Sequence, residues 1–359
     1  EGAAALLAER GFDLGAFPGR VLDAPTVAFK DVAFPYTEGD FTELDKRYLY
    51  YESSRGCPFR CSYCLSSRGD QKLDEKDAST AIDELETIAR HEPFLVKFVD
   101  RSFNADPARA RAIWRHLVRE HADGRTRYHF EVHPLFLGDE DFAVLANASE
   151  GLFQFELGVQ TVHTATRAAV GRGGDWPRER EAIRRLIALG TVHVHLDLIA
   201  GLPGEGLADL AASFDGLMAL GPDHLQLGFL KGLPGTALRE RADLVVLEAR
   251  AAARGVGACG GGARDGDYAL FQALPPYEVL RTAALSADEL GLLKGVEELV
   301  DGLYNSKRFR PEMIGAAARL GGYFAAYCSL REYCLTVGFD LRTRDRAKLE
   351  SLLASWLAG

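Results

Sequence analysis

The most constraining feature of the sequence is a group of three cysteines within a short loop. Cys57, Cys61 and Cys64 are separated by three and then two residues, and they follow a strand-like run at 47–53. Thiolates are the usual ligands of iron–sulfur clusters, and a four-iron cluster normally takes four of them. A cluster held by these three alone leaves one iron open to another ligand. The spacing therefore predicts an iron–sulfur cluster with an exchangeable site.

Two other uses of these cysteines have to be weighed. A structural zinc site needs four ligands, which usually come as two pairs of cysteine or histidine. The next cysteine, Cys259, lies far downstream, and Cys328 and Cys334 form no CxxC pair. Six cysteines in 359 residues are too few for a disulfide scaffold. The cluster is favoured, and a zinc-stabilised binding module is the non-enzymatic alternative.

Composition narrows the class of protein. The chain has a formal charge of −10, which disfavours nonspecific binding to nucleic acid, and 47% of its residues are hydrophobic, as in ordinary globular proteins. No apolar run approaches the roughly 20 residues that a membrane span requires, and the first residues lack the layout of a signal peptide. Thiols and an oxygen-sensitive cluster favour the reducing cytoplasm, so we predict a cytoplasmic location.

Strand and helix patterns alternate from residue 46 onward. Apolar runs predict six strands, at 47–53, 94–100, 128–133, 152–160, 192–202 and 224–230. Helical spacing predicts intervening helices at 74–91, 107–120, 138–148, 178–189 and 207–220. Such alternation is typical of an α/β fold with a parallel sheet, and six units are fewer than the eight of a closed TIM barrel. Sites in these folds collect at the carboxyl ends of the strands, where the cysteine loop lies.

Four segments are predicted along the chain. Residues 1–45, interrupted by prolines, are an N-terminal arm or linker with a short amphipathic helix at 1–10. The strand–helix alternation occupies 46–231. Residues 232–276 include a glycine-rich run at 254–262 and are predicted to be a linker or a lid. Residues 277–359 are predicted to be a helical C-terminal domain, with a capping box at Ser286 and Glu289 and later helices at 312–327 and 345–357.

The CxxxCxxC loop, with Tyr63 before its third cysteine, resembles the signature of the radical S-adenosylmethionine (SAM) superfamily. The resemblance implies an enzyme whose core is a (β/α)6 partial TIM-type barrel. It also implies a [4Fe–4S] cluster on Cys57, Cys61 and Cys64, with SAM on the open iron. One electron from the cluster then cleaves SAM to methionine and a 5′-deoxyadenosyl radical. The implied partners are a small-molecule substrate and a one-electron donor such as flavodoxin or ferredoxin.

Polar residues at the predicted strand ends resemble the SAM contacts of this superfamily. Strand four ends in Gln160 and is followed by Arg172, and strand five carries Asp197 in a D-L-I-x-G-L-P run. The set resembles the branch that includes oxygen-independent coproporphyrinogen oxidase and the cobalamin-dependent enzymes. There the glutamine and arginine contact the methionine end of SAM and the aspartate contacts the ribose. A guanidinium grips a carboxylate well, and a carboxylate accepts hydrogen bonds from vicinal hydroxyls.

Three further SAM contacts follow from the same resemblance. Glu131, at the end of strand three, takes the place of another contact. Asp100, in the run 98–104, resembles a V-D-x-x-F variant that replaces a Gly-Gly-Glu motif for the amino group of SAM. Tyr63 is expected to pack near the adenine. A lone polar residue at a strand end is usually an ordinary loop hydrogen-bonder, so these assignments depend on their joint occurrence.

The runs 50–59, 100–104 and 275–280 resemble those of cobalamin-binding radical SAM proteins with a C-terminal helical domain of unknown function, the DUF4080 type. Cobalamin is therefore a candidate cofactor. The sequence has no Asp-x-His-x-x-Gly cobalamin motif, so we expect either that a cobalamin-binding domain lies upstream of Glu1, with 1–45 as its remainder, or that the protein has dispensed with it. The predicted reaction is hydrogen abstraction for methyl transfer or rearrangement on a small natural-product or lipid-like substrate. The alternative is a cobalamin-independent oxidase or cyclase.

Overall fold

The structure is a computed structural model that describes residues 27–43, 47–67, 72–122, 125–240, 245–248 and 268–358. The helix predicted at 1–10 and the glycine-rich run at 254–262 lie outside these ranges.

The central element is a parallel sheet of six strands, in the order β1-β4-β5-β6-β7-β8. Its strands are β1 (Tyr48–Tyr51), β4 (Leu95–Phe98), β5 (Arg127–Glu131), β6 (Phe153–Gln160), β7 (Val192–Ala200) and β8 (His224–Phe229). Every neighbouring pair runs parallel. Because β1 and β8 are the edges of this sheet and are not joined to each other, the barrel is open, as predicted for six units.

Helices connect these strands and cover the outer face of the sheet. The barrel helices are α1 (Glu38–Glu43), α2 (Ala78–Ala89), α3 (Pro107–Glu120), α4 (Asp139–Leu145), α5 (Thr164–Ala169), α6 (Trp176–Leu189), α7 (Leu207–Met218) and α8 (Ala237–Glu240). Short 3-10 turns lie at Phe29–Asp31, Leu65–Ser67, Phe103–Ala105 and Pro134–Phe136. Local signals explain several boundaries: Asp106 and Asp175 cap α3 and α6, and Gly190 ends α6 in the left-handed region.

The C-terminal region is helical, as predicted, but it differs in detail. Its helices are α9 (Ala287–Leu299), which runs into a π-helical turn at Val300–Asn305, then α10 (Arg310–Leu320), α11 (Tyr323–Thr336) and α12 (Arg346–Ala358). The single helix predicted at 312–327 is wrong, because Gly321 and Gly322 adopt φ values of 81° and 151° and break it into α10 and α11. The capping box of Ser286 and Glu289 starts α9.

Two small sheets were not predicted. In the segment interpreted as a linker or lid, β9 (Val245–Glu248) pairs in parallel with β10 (Tyr268–Phe271). β10 pairs in antiparallel orientation with β11 (Val279–Thr282), which lies at the start of the region predicted to be helical. A two-stranded ribbon, β2 (Ser54–Arg55) with β3 (Asp74–Glu75), flanks the cysteine loop. Strands this short carry no readable alternation, so their pairing depends on tertiary contacts.

The two faces of the barrel sheet differ sharply in polarity. Apolar residues such as Phe98, Phe155 and Leu196 are fully buried on the helix side. Their neighbours along each strand point to the other face, since side chains alternate in a strand. That inner wall consists mostly of polar side chains: Lys97, His129, Glu131, Gln154, Glu156, His193, His195, Asp197, His224 and Gln226. Closed TIM barrels fill this position with branched apolar residues, so the open barrel has a wall suited to polar contacts.

Within the described ranges, no helix combines the length and the apolar character needed to cross a membrane.

Candidate active site

The cysteine loop begins at a turn that only glycine tolerates. Gly56 has a φ of 87°, and a Cβ there would lie 2.6 Å from the carbonyl oxygen of Lys72. The loop is then anchored from two sides: Ser62 N donates to Val170 O at 2.8 Å, and Leu238 N donates to Ser62 O at 2.7 Å. These bonds fix the backbone between the second and third cysteine.

All three cysteines line one cavity at the carboxyl ends of the strands. The five cysteines that the structure describes are outside any disulfide bond. Cys57 Sγ lies 3.5 Å from Ser102 Oγ, and burial raises the pKa of the Cys57 thiol. The residues around this cavity are Cys57, Phe59, Cys61, Tyr63, Cys64, Arg101, Ser102, Glu131, Val132, His133, Glu156, Gly158, Gln160, Arg172 and Asp197. Eight of the nine side chains predicted from the sequence are therefore together, and Asp100 is the exception.

The end of β6 brings Gln160 and Arg172 next to the cysteines. The ladder between β6 and β7 shifts between Gly158 and Gln160, and Gln160 has a φ of 70°, which is rare outside glycine. A Cβ at Gly158 would lie 2.3 Å from Gln160 Nε2, so a side chain at 158 would displace the glutamine. Arg172 donates from Nη2 to Gly158 O and from Nη1 to Cys61 Sγ at 3.8 Å.

Two polar atoms in this corner are buried without a partner. Gln160 Oε1 and Arg172 Nε have no hydrogen-bond partner among the described residues. Buried polar groups are nearly always paired, because an unpaired one costs roughly 1–3 kcal/mol. One acceptor and one donor thus remain available beside three thiols, which fits an amino acid moiety bound next to a cluster.

Asp197 and Glu156 form a coupled carboxyl pair on the inner wall. Burial, followed by the neighbouring Glu156 carboxylate, raises the pKa of Asp197 well above its ordinary value. Burial also opposes ionisation of Glu156, but the hydrogen bond with His129 and the charges of His195 and Lys97 lower its pKa to about 2. The two shifts are opposite, so Asp197 takes up a proton at a higher pH than Glu156 does.

Glu131 and Tyr63 complete the predicted set. Burial raises the pKa of Glu131 to about 7. The positive charge of Arg101, whose Nη1 lies 3.3 Å from Glu131 Oε1, acts in the opposite direction and lowers this pKa. Burial also raises the pKa of the Tyr63 hydroxyl. Tyr63 lies between two cysteines on the loop and faces the same cavity.

Asp100 is placed differently from its prediction. It is fully buried and accepts three hydrogen bonds: from Ser53 N at 3.0 Å, Ser53 Oγ at 2.6 Å and Ser54 Oγ at 2.6 Å. Arg109 clamps the same segment, donating to Ser53 Oγ at 2.7 Å and Ser53 O at 3.0 Å. Because both carboxylate oxygens are used, this geometry does not support a SAM contact. Asp100 instead ties the end of β4 to the chain entering the cysteine loop.

Replacing Asp100 with alanine should therefore mainly reduce stability. It leaves three buried donors unpaired, which should lower the free energy of unfolding by roughly 2–4 kcal/mol. Urea unfolding measures this, with the exposed Asp139→Ala as the matched control. SAM affinity of the folded protein should stay near the wild-type value. A large loss of affinity with unchanged stability would restore the original assignment.

Several cavity residues were not predicted from the sequence: Phe59, Arg101, Ser102, His133 and Glu156. His133 is notable because its ring stacks on Phe59 at 4.1 Å. Its Nδ1 accepts from Leu135 N at 3.4 Å, which leaves the proton on Nε2, and Nε2 is buried without a partner among the described residues. Burial lowers the pKa of His133 to about 3, so the ring is neutral at pH 7. The sequence feature that could have identified His133 as a cavity residue is its position at the end of β5, close to Glu131.

Glu205 links the loops that follow β6 and β7. It is fully buried and accepts a hydrogen bond from Thr161 Oγ1, next to Gln160. Burial raises the pKa of Glu205 from 4.5 to about 7, despite that hydrogen bond. The folded chain therefore holds a proton that the unfolded chain releases between about pH 4.5 and 7. Stability contributed by this group is present at low pH and is lost as the pH rises.

The variant Glu205→Gln should be less sensitive to pH. Its amide cannot ionise, so it should gain up to about 3 kcal/mol relative to wild type as the pH rises from 5 to 8. Urea unfolding of the cluster-free chain at both values measures the difference, with the exposed Glu150→Gln as control. An equal difference at the two pH values would contradict this assignment.

Comparison with known proteins agrees with the site. The family described as "Radical SAM superfamily" matches residues 51–216, and the family described as "Protein of unknown function (DUF4080)" matches residues 267–358. No curated protein matches the chain.

Three solved structures illustrate the structural similarity. The cobalamin-dependent SAM radical enzyme OxsB, with aqua-cobalamin and SAM bound, has 14% identity and a TM-score of 0.52 over 93% of this chain and 57% of its own. The radical SAM methyltransferase TsrM from Kitasatospora setae has 20% identity and a TM-score of 0.47, over 54% and 36%. HemN, the coproporphyrinogen III oxidase from Escherichia coli, has 19% and 0.43, over 58% and 51%. The chain thus spans about a third to little more than half of these proteins.

These findings confirm the resemblance seen in the cysteine loop, and they support an enzyme over the zinc-stabilised binding module. The OxsB match supports the fold, and the family match accounts for the three thiols at one cavity. A [4Fe–4S] cluster and SAM are the cofactors that this superfamily uses. Residues 51–216 therefore match the radical SAM superfamily, and residues 267–358 match the family DUF4080.

Proposed function

We propose that this chain is an enzyme that cleaves SAM reductively and abstracts hydrogen from a substrate carbon. The observation that carries the proposal is the cavity in which Cys57, Cys61 and Cys64 face Gln160 and Arg172. The thiolates would hold the cluster, and the unpaired Gln160 Oε1 and Arg172 Nε offer partners for the amino acid end of SAM. When bound, the cluster supplies the electron that cleaves SAM to methionine and a 5′-deoxyadenosyl radical.

The remaining residues of the set orient SAM and shape the cavity. Arg172 offers a partly buried guanidinium fork for the carboxylate. Asp197, farther along the inner wall, lines the same cavity and would pair with the ribose hydroxyls. Glu131 offers a further acceptor on β5. We propose these roles for the four side chains and assign none to Asp100.

The inner wall favours a polar substrate over a lipid-like one. His129 Nδ1 and His193 Nδ1 are buried on it without partners among the described residues. Lys97 Nζ lies 3.8 Å from Glu156 Oε2, and His129 Nε2 lies 3.1 Å from the same oxygen. An apolar molecule would leave the two Nδ1 atoms unpaired, at a cost of about 1–3 kcal/mol each. We therefore propose a small substrate that forms several hydrogen bonds.

Methyl transfer or rearrangement with cobalamin stays the leading reaction, and cobalamin-independent oxidation or cyclisation is the second candidate. The similarity to OxsB extends over most of this chain, including the C-terminal region, and that structure holds aqua-cobalamin and SAM. At 14% identity this is a likeness of fold, so cobalamin binding here is a proposal. A one-electron donor such as flavodoxin or ferredoxin is required in either case.

An anaerobic assay tests these proposals. The chain is reconstituted with iron and sulfide, and SAM and a strong reductant are added with or without cobalamin. Formation of 5′-deoxyadenosine supports the radical enzyme, and S-adenosylhomocysteine that depends on cobalamin supports methyl transfer. Neither product from a chain with a full cluster would overturn the proposed function.

The proposed domain division can be tested separately. We propose 46–231 as the catalytic barrel and 277–359 as a helical unit, joined by 232–276 and preceded by the arm at 1–45. Limited proteolysis should cut preferentially between the two units.

A further inference from the structure

A second group of ligand-type side chains lies far from the cysteine cavity. Glu86 is near the carboxyl end of α2, His116 is in the last turns of α3, and His121 follows α3 directly. Helices in this fold run back toward the amino ends of the strands, so the group lies at the end of the sheet opposite the cysteine loop. The proposed reaction uses none of these residues.

The three side chains converge on one point. His116 Nε2 lies 2.6 Å from Glu86 Oε1, and His121 Nε2 lies 2.7 Å from the same oxygen. One ligand atom from each residue falls within 4.8 Å of the other two. The histidine side chains are 15% and 14% exposed and that of Glu86 is 43% exposed, so the group is sheltered but reachable from solvent.

The chemistry of the group suits a divalent transition metal. Two imidazole nitrogens and one carboxylate, with a fourth position open to water, form a common zinc ligand set. The carboxyl ends of α2 and α3 add negative partial charge, which favours a cation.

A buried hydroxyl beside the group provides an independent observation. Tyr128, on β5, is fully buried, and its hydroxyl has no hydrogen-bond partner among the described residues. Its ring lies 6.1 Å from that of His121, and Glu86 is the charge that acts on it. An unpaired buried hydroxyl is costly, and a water on a bound metal would give it a partner.

We propose that Glu86, His116 and His121 form a binding site for Zn²⁺ or a similar transition metal. On binding, each Nε2 loses its proton to solvent and its hydrogen bond to Glu86 and forms a bond to the ion instead, and a water fills the fourth position near Tyr128. The ion ties α2 to α3 on the outside of the barrel. It is separate from the cluster and takes no part in SAM cleavage.

Zinc titration of the anaerobically reconstituted full chain tests this site. The cluster must be in place, because empty cysteines would themselves bind zinc. Calorimetry should show one equivalent of Zn²⁺ bound, and zinc should raise the unfolding temperature. His116→Gln and Glu86→Gln should each weaken zinc binding by more than about tenfold. His163→Gln is the matched control, because that histidine faces a single carboxylate, Asp209, at 3.8 Å.

Two results would overturn the proposal. One is the absence of zinc binding by the reconstituted protein. The other is binding that survives unchanged in both variants, which would place the ion elsewhere. Because Glu86→Gln removes charge but not bulk, the test does not depend on a variant that fails to fold. SAM cleavage by His116→Gln should equal wild type, so failure of the proposed function and failure of this site are distinguishable.

Discussion

Replacing Cys61 with alanine should abolish SAM cleavage and lower the iron content of the reconstituted chain. Cys61 is 5% exposed and is the central thiol of the loop. Changes to groups that merely support metal ligands already cost about 10- to 100-fold, so loss of one of three ligands should cost more than about 100-fold. The measurements are 5′-deoxyadenosine formation and analysis of iron and acid-labile sulfide.

Cys328→Ser is the matched control for that change. Cys328 is a partly buried thiol on α11, outside the residues around the cavity. Its replacement should leave iron content and SAM cleavage unchanged. If Cys61→Ala retained a full cluster and normal cleavage, the ligand assignment would be wrong.

Arg172→Ala should weaken SAM binding by roughly 100-fold while leaving the cluster largely intact. The substitution removes the proposed partner of the SAM carboxylate, and truncating one partner of a buried, hydrogen-bonded charge pair typically costs about 2–5 kcal/mol of binding free energy. It also removes the contacts with Gly158 O and Cys61 Sγ. SAM affinity measured by calorimetry on reconstituted protein, together with iron content, separates loss of SAM from loss of the cluster.

Two further variants test whether the loss of SAM affinity reflects a specific contact or a general loss of positive charge. Arg172→Lys keeps the charge without the planar fork, so its affinity should fall between wild type and the alanine variant. Arg101→Ala removes a cation from the rim of the same cavity. Because Arg101 is 53% exposed, its loss should change SAM affinity only a few-fold, as for other surface pairs. Equal effects at both positions would indicate a general charge effect in place of a specific contact.

The alternation of strands and helices in the barrel could be predicted from the sequence, because the spacing of apolar residues reflects which side of each element is buried. Apolar runs such as the one in β7 marked the strands, and Gly190 marked the end of α6. The failures came where local pattern was weak. Residues 312–327 have continuous helical composition, and only the backbone at Gly321 and Gly322 shows the break. The pairing of β9 with β10 joins short segments that are distant in sequence.

In the candidate site, too, local patterns were predictable from the sequence, whereas the direction of individual side chains was not. The cysteine spacing alone indicated the cluster, since ligand type and number are properties of sequence. Asp100 resembled a SAM contact by position, but its carboxylate points to Ser53 and Ser54. A strand-end residue can face the cavity or the preceding segment, and a shift of one residue changes its face.

By itself, the sequence determined the spacing of the three thiols, the six strand–helix units and the polar residues at strand ends, because spacing and periodicity are local. Only the tertiary structure decided which of these side chains meet. Pairing of the parallel strands brought Glu156 to Asp197 and Arg172 to Cys61, and it aligned the polar side chains on the inner face of the sheet. Packing of α2 against α3 likewise brought Glu86 to His116. Such contacts join residues far apart in the chain, so they arise only when the sheet and its helices have assembled.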